Sequence, residues 1–296
     1  LAITPSHRSV PPSVLLGVPA SCVSTPTVMN SPAPASHWPR LLRLLALLAF
    51  TSICSAQVVE NSRFRVSLRE GGALEVVDKT AAVTWVQPAA KVQVSAAAAT
   101  VGELTFTIND ALTVRVSVND ESISLTLGGN DSHIDGVEYP TGFTLADATK
   151  AQTLLLPYCA GLAIPFSAKD RPDLKRTADY YDACNSQMGL MMPWIATTDG
   201  RVGSLMLIET PFDARFKVST DASGYQYSAA WKDTKGRLGY ERRVRYYFRA
   251  EGGAVALCKA YREHARAEGL LVTLKEKAKI IPGLDRFIGA MSLWVV

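Results

Sequence analysis

The sequence predicts a mainly β protein: a large antiparallel β-sandwich over about residues 57–250, a helical linker over 251–287 and a buried strand over 288–296. Three observations carry this. Short runs of alternating apolar and polar residues recur from Val58 to about Leu127, with turn residues every eight to twelve positions. The apolar period becomes helical from about Gly253. A nearly unbroken apolar run, Phe287 to Val296, then has the pattern of a strand covered on both faces.

Ahead of the sandwich lies a leader. Residues 40–56, RLLRLLALLAFTSICSA, place Arg40 and Arg43 before an apolar run and small residues at Cys54, Ser55 and Ala56. That is the layout of a signal peptide over 29–56, cut after Ala56, and its apolar core is too short to span a bilayer. The expected locations are therefore secreted or periplasmic, with no membrane attachment once the leader is removed. Met29 is the first methionine, so residues 1–28 are expected to lie upstream of the true start. A lipid anchor at Cys54 is the other processing route, but Ile53 is a poor neighbour for that chemistry.

The leader also distorts the charge. Residues 1–56 hold three arginines, Arg8, Arg40 and Arg43, and no acidic residue, so the remainder carries 28 basic residues against 27 acidic ones. Nothing in that balance points to nucleic acid. Three cysteines remain, Cys159, Cys184 and Cys258, none in a CxxC pattern. Cys159 and Cys184 bracket one loop-rich segment and are the candidate disulfide; buried thiols are the alternative. Two of the four histidines, His7 and His37, fall in the leader region, which leaves too few for a zinc site. No cofactor motif, neither P-loop nor GxGxxG, is present.

Within the sandwich, Phe64, Val66 and Leu68 share one face, Glu70-Gly71-Gly72 turns the chain, and Leu74 and Val76 follow. Leu104, Phe106 and Ile108, then Leu112 to Val118, then Ile123, Leu125 and Leu127 continue the meander. Two short strands surround Gly161 in 153–170, and 171–187 has no clear period. A segment of that length in a compact domain is usually functional or mobile. Strands return at 188–197, 203–209, 214–219, 225–231 and 240–250. In the last, Arg242 shares a face with Val244, Tyr246 and Phe248, while Arg243, Arg245, Tyr247 and Arg249 form a basic face, read as solvated rather than as a polyanion site.

Leu257, Cys258, Tyr261 and Ala265 fall at helical spacing, with Gly269 placed as a left-handed cap. Thr273 and Glu276 form a capping box for a short helix ending before Pro282. The final strand has no partner in the sequence that follows it, and a buried parallel strand needs neighbours a crossover away. The expectation is that the chain is the front part of a longer protein, entering the first strand of a second domain.

The order of these parts, and three stretches in particular, resemble one family. LPYCAGLAIPF (156–166), MMPWIATTDGRVGSLMLIETPFDA (191–214) and AYREHARAEGL leading to IGAMSLWVV are similar to the region ahead of the barrel in endo-α-N-acetylgalactosaminidase-like glycoside hydrolases and their uncharacterised relatives. The resemblance implies a galactose-mutarotase-like sandwich followed by a catalytic (β/α)₈ barrel, of which 288–296 is the first strand of a truncated copy. It implies hydrolysis of a glycosidic bond by two carboxyl groups at the barrel's mouth. No family catalytic residue falls on this chain, since the strand ending Ser292 to Val296 carries no carboxylate. This fragment alone is expected to be inactive, its partners being a glycan and its own barrel. A secreted sandwich that binds carbohydrate or a surface partner, without catalysis, is the other reading.

Candidate substrate contacts are Asp179, Tyr180, Tyr181 and Asp182, two carboxylates beside two rings, with Trp194 as a further platform or a core residue. Rings stack on sugar C–H faces while carboxylates accept from hydroxyls. An irregular surface loop explains the same four residues. Glu209 and Asp213 form a conceivable acid and base at a strand end, though turn chemistry accounts for them too. His133, between Ser132 and Asp135, lacks the GxSxG elbow of a nucleophilic triad.

Overall fold

Alternation of side chains along a strand decides which residues face inward, and here the inward rows of three antiparallel sheets meet in one core. The computed structural model describes residues 57–129, 133–147, 149–158, 161–168, 180–183, 189–221, 224–233 and 235–290. The leader, residues 291–296 of the expected final strand, Cys159, Cys184 and Asp179 lie outside the described residues, as does the side chain of Tyr180.

The first meander is β1 (Val58–Glu60), β2 (Phe64–Leu68), β3 (Leu74–Asp78) and β4 (Val83–Val86), with a 3-10 turn at Glu70–Gly72. The second is β5 (Val94–Thr100), β6 (Glu103–Ile108), β7 (Leu112–Val118) and β8 (Ser122–Gly128). Next come β9 (Val137–Thr141), β10 (Thr144–Leu145), β11 (Thr153–Leu156), β12 (Leu162–Pro165) and β13 (Tyr180–Asp182). The last five are β14 (Trp194–Thr198), β15 (Gly203–Ile208), β16 (Ala214–Asp221), β17 (Gly224–Trp231) and β18 (Arg242–Arg249). Helices α1 (Gly253–Ala267) and α2 (Leu274–Ala278) and a 3-10 turn at Leu284–Phe287 follow.

Nine strands form one sheet in the order β12-β11-β14-β15-β18-β8-β7-β6-β5. Facing it are a five-stranded sheet, β1-β2-β3-β4-β10, and a four-stranded sheet, β13-β16-β17-β9. Aromatic contacts fix this layering. Phe248 of β18 lies 5.3 Å from Phe64 of β2 and 5.8 Å from Trp85 of β4, and Phe106 of β6 meets Tyr139 of β9 edge-on at 6.4 Å. The fold is thus the mainly β antiparallel sandwich that the alternation predicts.

The two smaller sheets are joined by one stretch of chain, since β9 belongs to one and β10 to the other with only Gly142 and Phe143 between them. Gly142 donates its N–H to the Tyr227 carbonyl at 2.7 Å, and a Cβ there would stand 2.1 Å from the Tyr227 ring. Only glycine lets the chain pass so close. The Phe143 carbonyl accepts from Thr197 Oγ1 of the facing sheet at 2.6 Å. Beside it the Thr141 carbonyl accepts from Tyr246 Oη and from Gln87 Nε2, each at 2.6 Å. These bonds satisfy buried polar groups that no sheet ladder reaches.

On its other face the nine-stranded sheet carries α1. Leu257 and Ala260 pack on Leu155, Trp194, Ala196, Leu205, Leu207 and Tyr247, so β14 and β15 are buried on both sides. That explains why GSLMLI reads as a continuous apolar run rather than an alternating one. The face of β18 read as solvated is partly covered for the same reason: Arg245 pairs with Glu209 at 2.6 Å, and Tyr247 lies buried under the helix. Leu257 and Ala265 of the expected helical stripe are buried, together with Gly253 and Ala260, whereas Cys258 is exposed, a correction to its place in that stripe.

Gly269 has φ +69 just past α1, and the Thr273/Glu276 capping box opens α2. Nothing in α2 is buried. Leu270, Leu274, Ile280, Ile281, Phe287 and Ile288 are all exposed, so this segment presents apolar surface that no described residue covers. Phe287 closes the 3-10 turn and Ile288 to Ala290 are not strand, so the start of the expected final strand is turn.

Candidate functional site

The outer face of the four-stranded sheet carries the densest set of polar groups that the expected sugar contacts lead to. Alternation along β13 sends Tyr181 inward, where it is 3% exposed and meets Tyr158 edge-on at 5.8 Å, and Asp182 outward. Asp182 Oδ1 accepts from Arg215 Nε at 2.8 Å, both side chains being about two-fifths exposed. The register continues across the sheet as Asp182, Arg215, Ala230 and Glu138, one residue from each strand. In the neighbouring row Lys217 of β16 reaches over β17 to Glu138 of β9, with Nζ 2.9 Å from Oε2. Ala230 and Ser228 on the intervening strand are small enough to let it pass.

β9 is irregular where this row crosses it. Ser228 pairs with Thr141 and Ala230 with Glu138, so β9 holds one more residue than β17 between those pairs. Pro140 lies in that interval, where its missing N–H needs no ladder partner. Upstream, Gly136 has φ +119, and a Cβ on it would meet the Trp231 carbonyl at 2.9 Å. Glycine thus seats the approach to β9 against the end of β17.

A cavity of about 500 Å³ opens there, lined by Asp135, Gly136, Val137, Glu138, Arg215, Ala230, Trp231 and Lys232. Its charged lining is balanced, two carboxylates and two cations. Trp231 is 2% exposed, and its indole Nε1 is buried without a hydrogen-bond partner. Among the described residues no group of His, Cys, Asp and Glu is placed to hold a metal ion.

The remaining sequence candidates are scattered. Trp194, 4% exposed, lies beneath α1 on the far side of the nine-stranded sheet, 6.2 Å from the Tyr261 ring, and shares no sheet with Tyr181 and Asp182. Glu209 and Asp213 are each held by an arginine: Glu209 by Arg245 and Asp213 by Arg242, both at 2.6 Å. His133 stands 3.7 Å from Asp135, with both side chains open to solvent. Glu138, Arg215, Lys232 and Trp231, which the pattern of the sequence did not single out, are the groups that gather at the cavity. Their one sequence signal is the outward position of Arg215 and Lys217 in the alternation of β16.

Titration behaviour sets the interior apart from this face. Burial pushes the Tyr227 hydroxyl up to about 12 and raises Tyr139 and Tyr246 well above the ordinary tyrosine value. These rings serve the core. His264 of α1, with Nδ1 3.2 Å from Tyr247 Oη, is held below its ordinary value by burial.

The class that this architecture defines is an antiparallel sandwich trailed by helices, a fold found in a solved glycoside hydrolase. Its particular likeness is to α-N-acetylgalactosaminidase NagBb from Bifidobacterium bifidum. The complex of that protein with GalNAc superposes with a TM-score of 0.64 at 18% identity, covering 78% of this chain and 42% of that one. The ligand-free form gives 0.60 at 20% identity over 74% of this chain and 40% of that one. The Gal-NHAc-DNJ complex gives 0.60 at 19%, over 75% and 40%. This chain therefore spans less than half the length of the enzyme it resembles. No family model and no curated protein matches the sequence.

Proposed function

We propose that this chain is the front part of an exported glycoside hydrolase related to the endo-α-N-acetylgalactosaminidase-like enzymes. In this reading the sandwich supports a (β/α)₈ barrel that follows it and hydrolyses a glycosidic bond. The observation that carries the reading is the likeness to NagBb, whose chain extends well beyond the matched part. The apolar surface of 270–288 supports it, because an exposed patch of Leu, Ile and Phe on a segment that buries nothing of its own is what a packing partner covers. The barrel is the occupant proposed, directly downstream of that segment. Residues 29–56 export the protein in this account, and among the described residues no helix is long and apolar enough to cross a membrane.

Asp182 and its neighbours Asp179 and Tyr180 remain the proposed sugar contacts of the front domain. Trp194 and Tyr181, both buried, act as packing residues that hold their strands in place. Sequencing the open reading frame past Val296 tests the proposal. Continuing βα units with carboxylates at strand ends are expected, together with hydrolysis of an aryl α-N-acetylgalactosaminide by the extended protein and none by residues 1–296 alone. A stop codon directly after Val296, or hydrolysis by the present chain alone, overturns it.

A further inference from the structure

We infer that the cavity between β9, β17 and the end of β16 is a binding site for a neutral saccharide. The inference rests on the carbohydrate reading above for its ligand class, but the lining chemistry narrows that class independently. Asp135 and Glu138 only accept hydrogen bonds, and Arg215 and Lys232 only donate them. A ligand hydroxyl does both, so a polyol engages both kinds of group, whereas an anion meets the two carboxylates and a cation the two basic groups. The balance of two against two disfavours phosphate and metal ions alike.

Shape agrees with this. A volume of about 500 Å³ falls within the roughly 300–1,000 Å³ of small-molecule sites. Ala230 gives the site a small floor, and Trp231, whose ring packs into the core, borders it through its backbone, its carbonyl lying against Gly136. Glu138 and Arg215 are already oriented by Lys217 and Asp182, so little side-chain freedom is lost on binding.

The test is titration of residues 1–296 with galactose, N-acetylgalactosamine and glucose, followed by isothermal calorimetry, with inorganic phosphate as the charged probe. Saturable binding of at least one sugar is expected, with none of phosphate. Glu138→Gln and Lys232→Ala, both at solvent-facing positions, are expected to weaken that binding about three- to tenfold each, the loss of one hydrogen bond. Unchanged thermal unfolding shows that the variants fold. Absence of binding by any sugar, preference for phosphate, or full affinity in both variants overturns the inference. Calorimetry needs no barrel, so a failed titration beside an active extended enzyme sinks only this site, and sugar binding without βα units downstream sinks only the proposed function.

Discussion

The guanidinium of Arg242, fully buried on the core side of β18, donates to Asp213 Oδ2 at 2.6 Å and lies 3.4 Å from the centre of the Tyr240 ring. The same group donates to the Leu238 carbonyl at 2.7 Å, so one side chain ties the approach to β16 to the approach to β18. Arg242 is buried but Asp213 is 31% exposed, so removing the carboxylate leaves the guanidinium with only the carbonyls of Tyr240 and Leu238. Asp213→Ala is expected to cost about 1–2 kcal/mol, and Arg242→Met less, because an apolar side chain of similar volume tolerates the site better than an unpaired charge does. Urea unfolding checks both, and a loss below about 0.5 kcal/mol for Asp213→Ala contradicts the assignment.

Gly142→Ala places a Cβ inside the ring of Tyr227 at the point where the two smaller sheets join. The expected loss is about 3 kcal/mol or more, since neither strand can move without breaking the bonds to the Phe143 and Thr141 carbonyls. Gly128→Ala, where the nearest neighbour is Glu241 Oε1 at 3.7 Å, is the control and is expected to change little. Equal melting temperatures for the two variants count against the join.

Alkali should unfold the sandwich in a window set by its tyrosines. The folded-state value of Tyr227 is raised to about 12 from an ordinary 10, so the unfolded chain gives up its proton first. The stabilisation is complete below pH 10 and is lost as pH rises from 10 through 12. Ultraviolet absorbance is expected to show the buried tyrosines ionising together with unfolding, after the exposed ones. Ionisation of every tyrosine near 10 in a chain still folded by circular dichroism is the opposing result.

Because α2 buries nothing, Thr273→Ala should cost about 1 kcal/mol of local helix stability and leave the global transition unmoved. Hydrogen exchange resolves the two, with faster exchange confined to 274–278. Ile280→Ser combined with Phe287→Ser should raise the solubility of this chain without altering its melting, since both side chains are exposed. A fall in melting temperature means that they have a home within the sandwich.

Much of the architecture is legible from local chemistry alone. β6 to β8 follow from Leu104 to Leu127 alternating between turns, and the capping box at Thr273 from its spacing to Glu276. What spacing cannot reach is pairing across the chain. Asp182, Arg215, Ala230 and Glu138 share a row only because β13, β16, β17 and β9 are neighbours, and Ala230 and Gly136 carry no signature of a cavity. Cys258 reads as inward because four residues at helical spacing fit either of two overlapping stripes, and packing on Leu205 and Leu207 selects the one through Ala260.

The pairing of β8 with β18, Leu125 against Val244, has a cost during synthesis. The second meander leaves the ribosome with β8 as an open edge, and its partner emerges roughly 115 residues later, on the order of ten seconds at ordinary translation speed. Throughout that interval the backbone N–H and C=O groups along this side of β8 have no strand beside them, and an open edge of that kind is where a growing chain pairs wrongly.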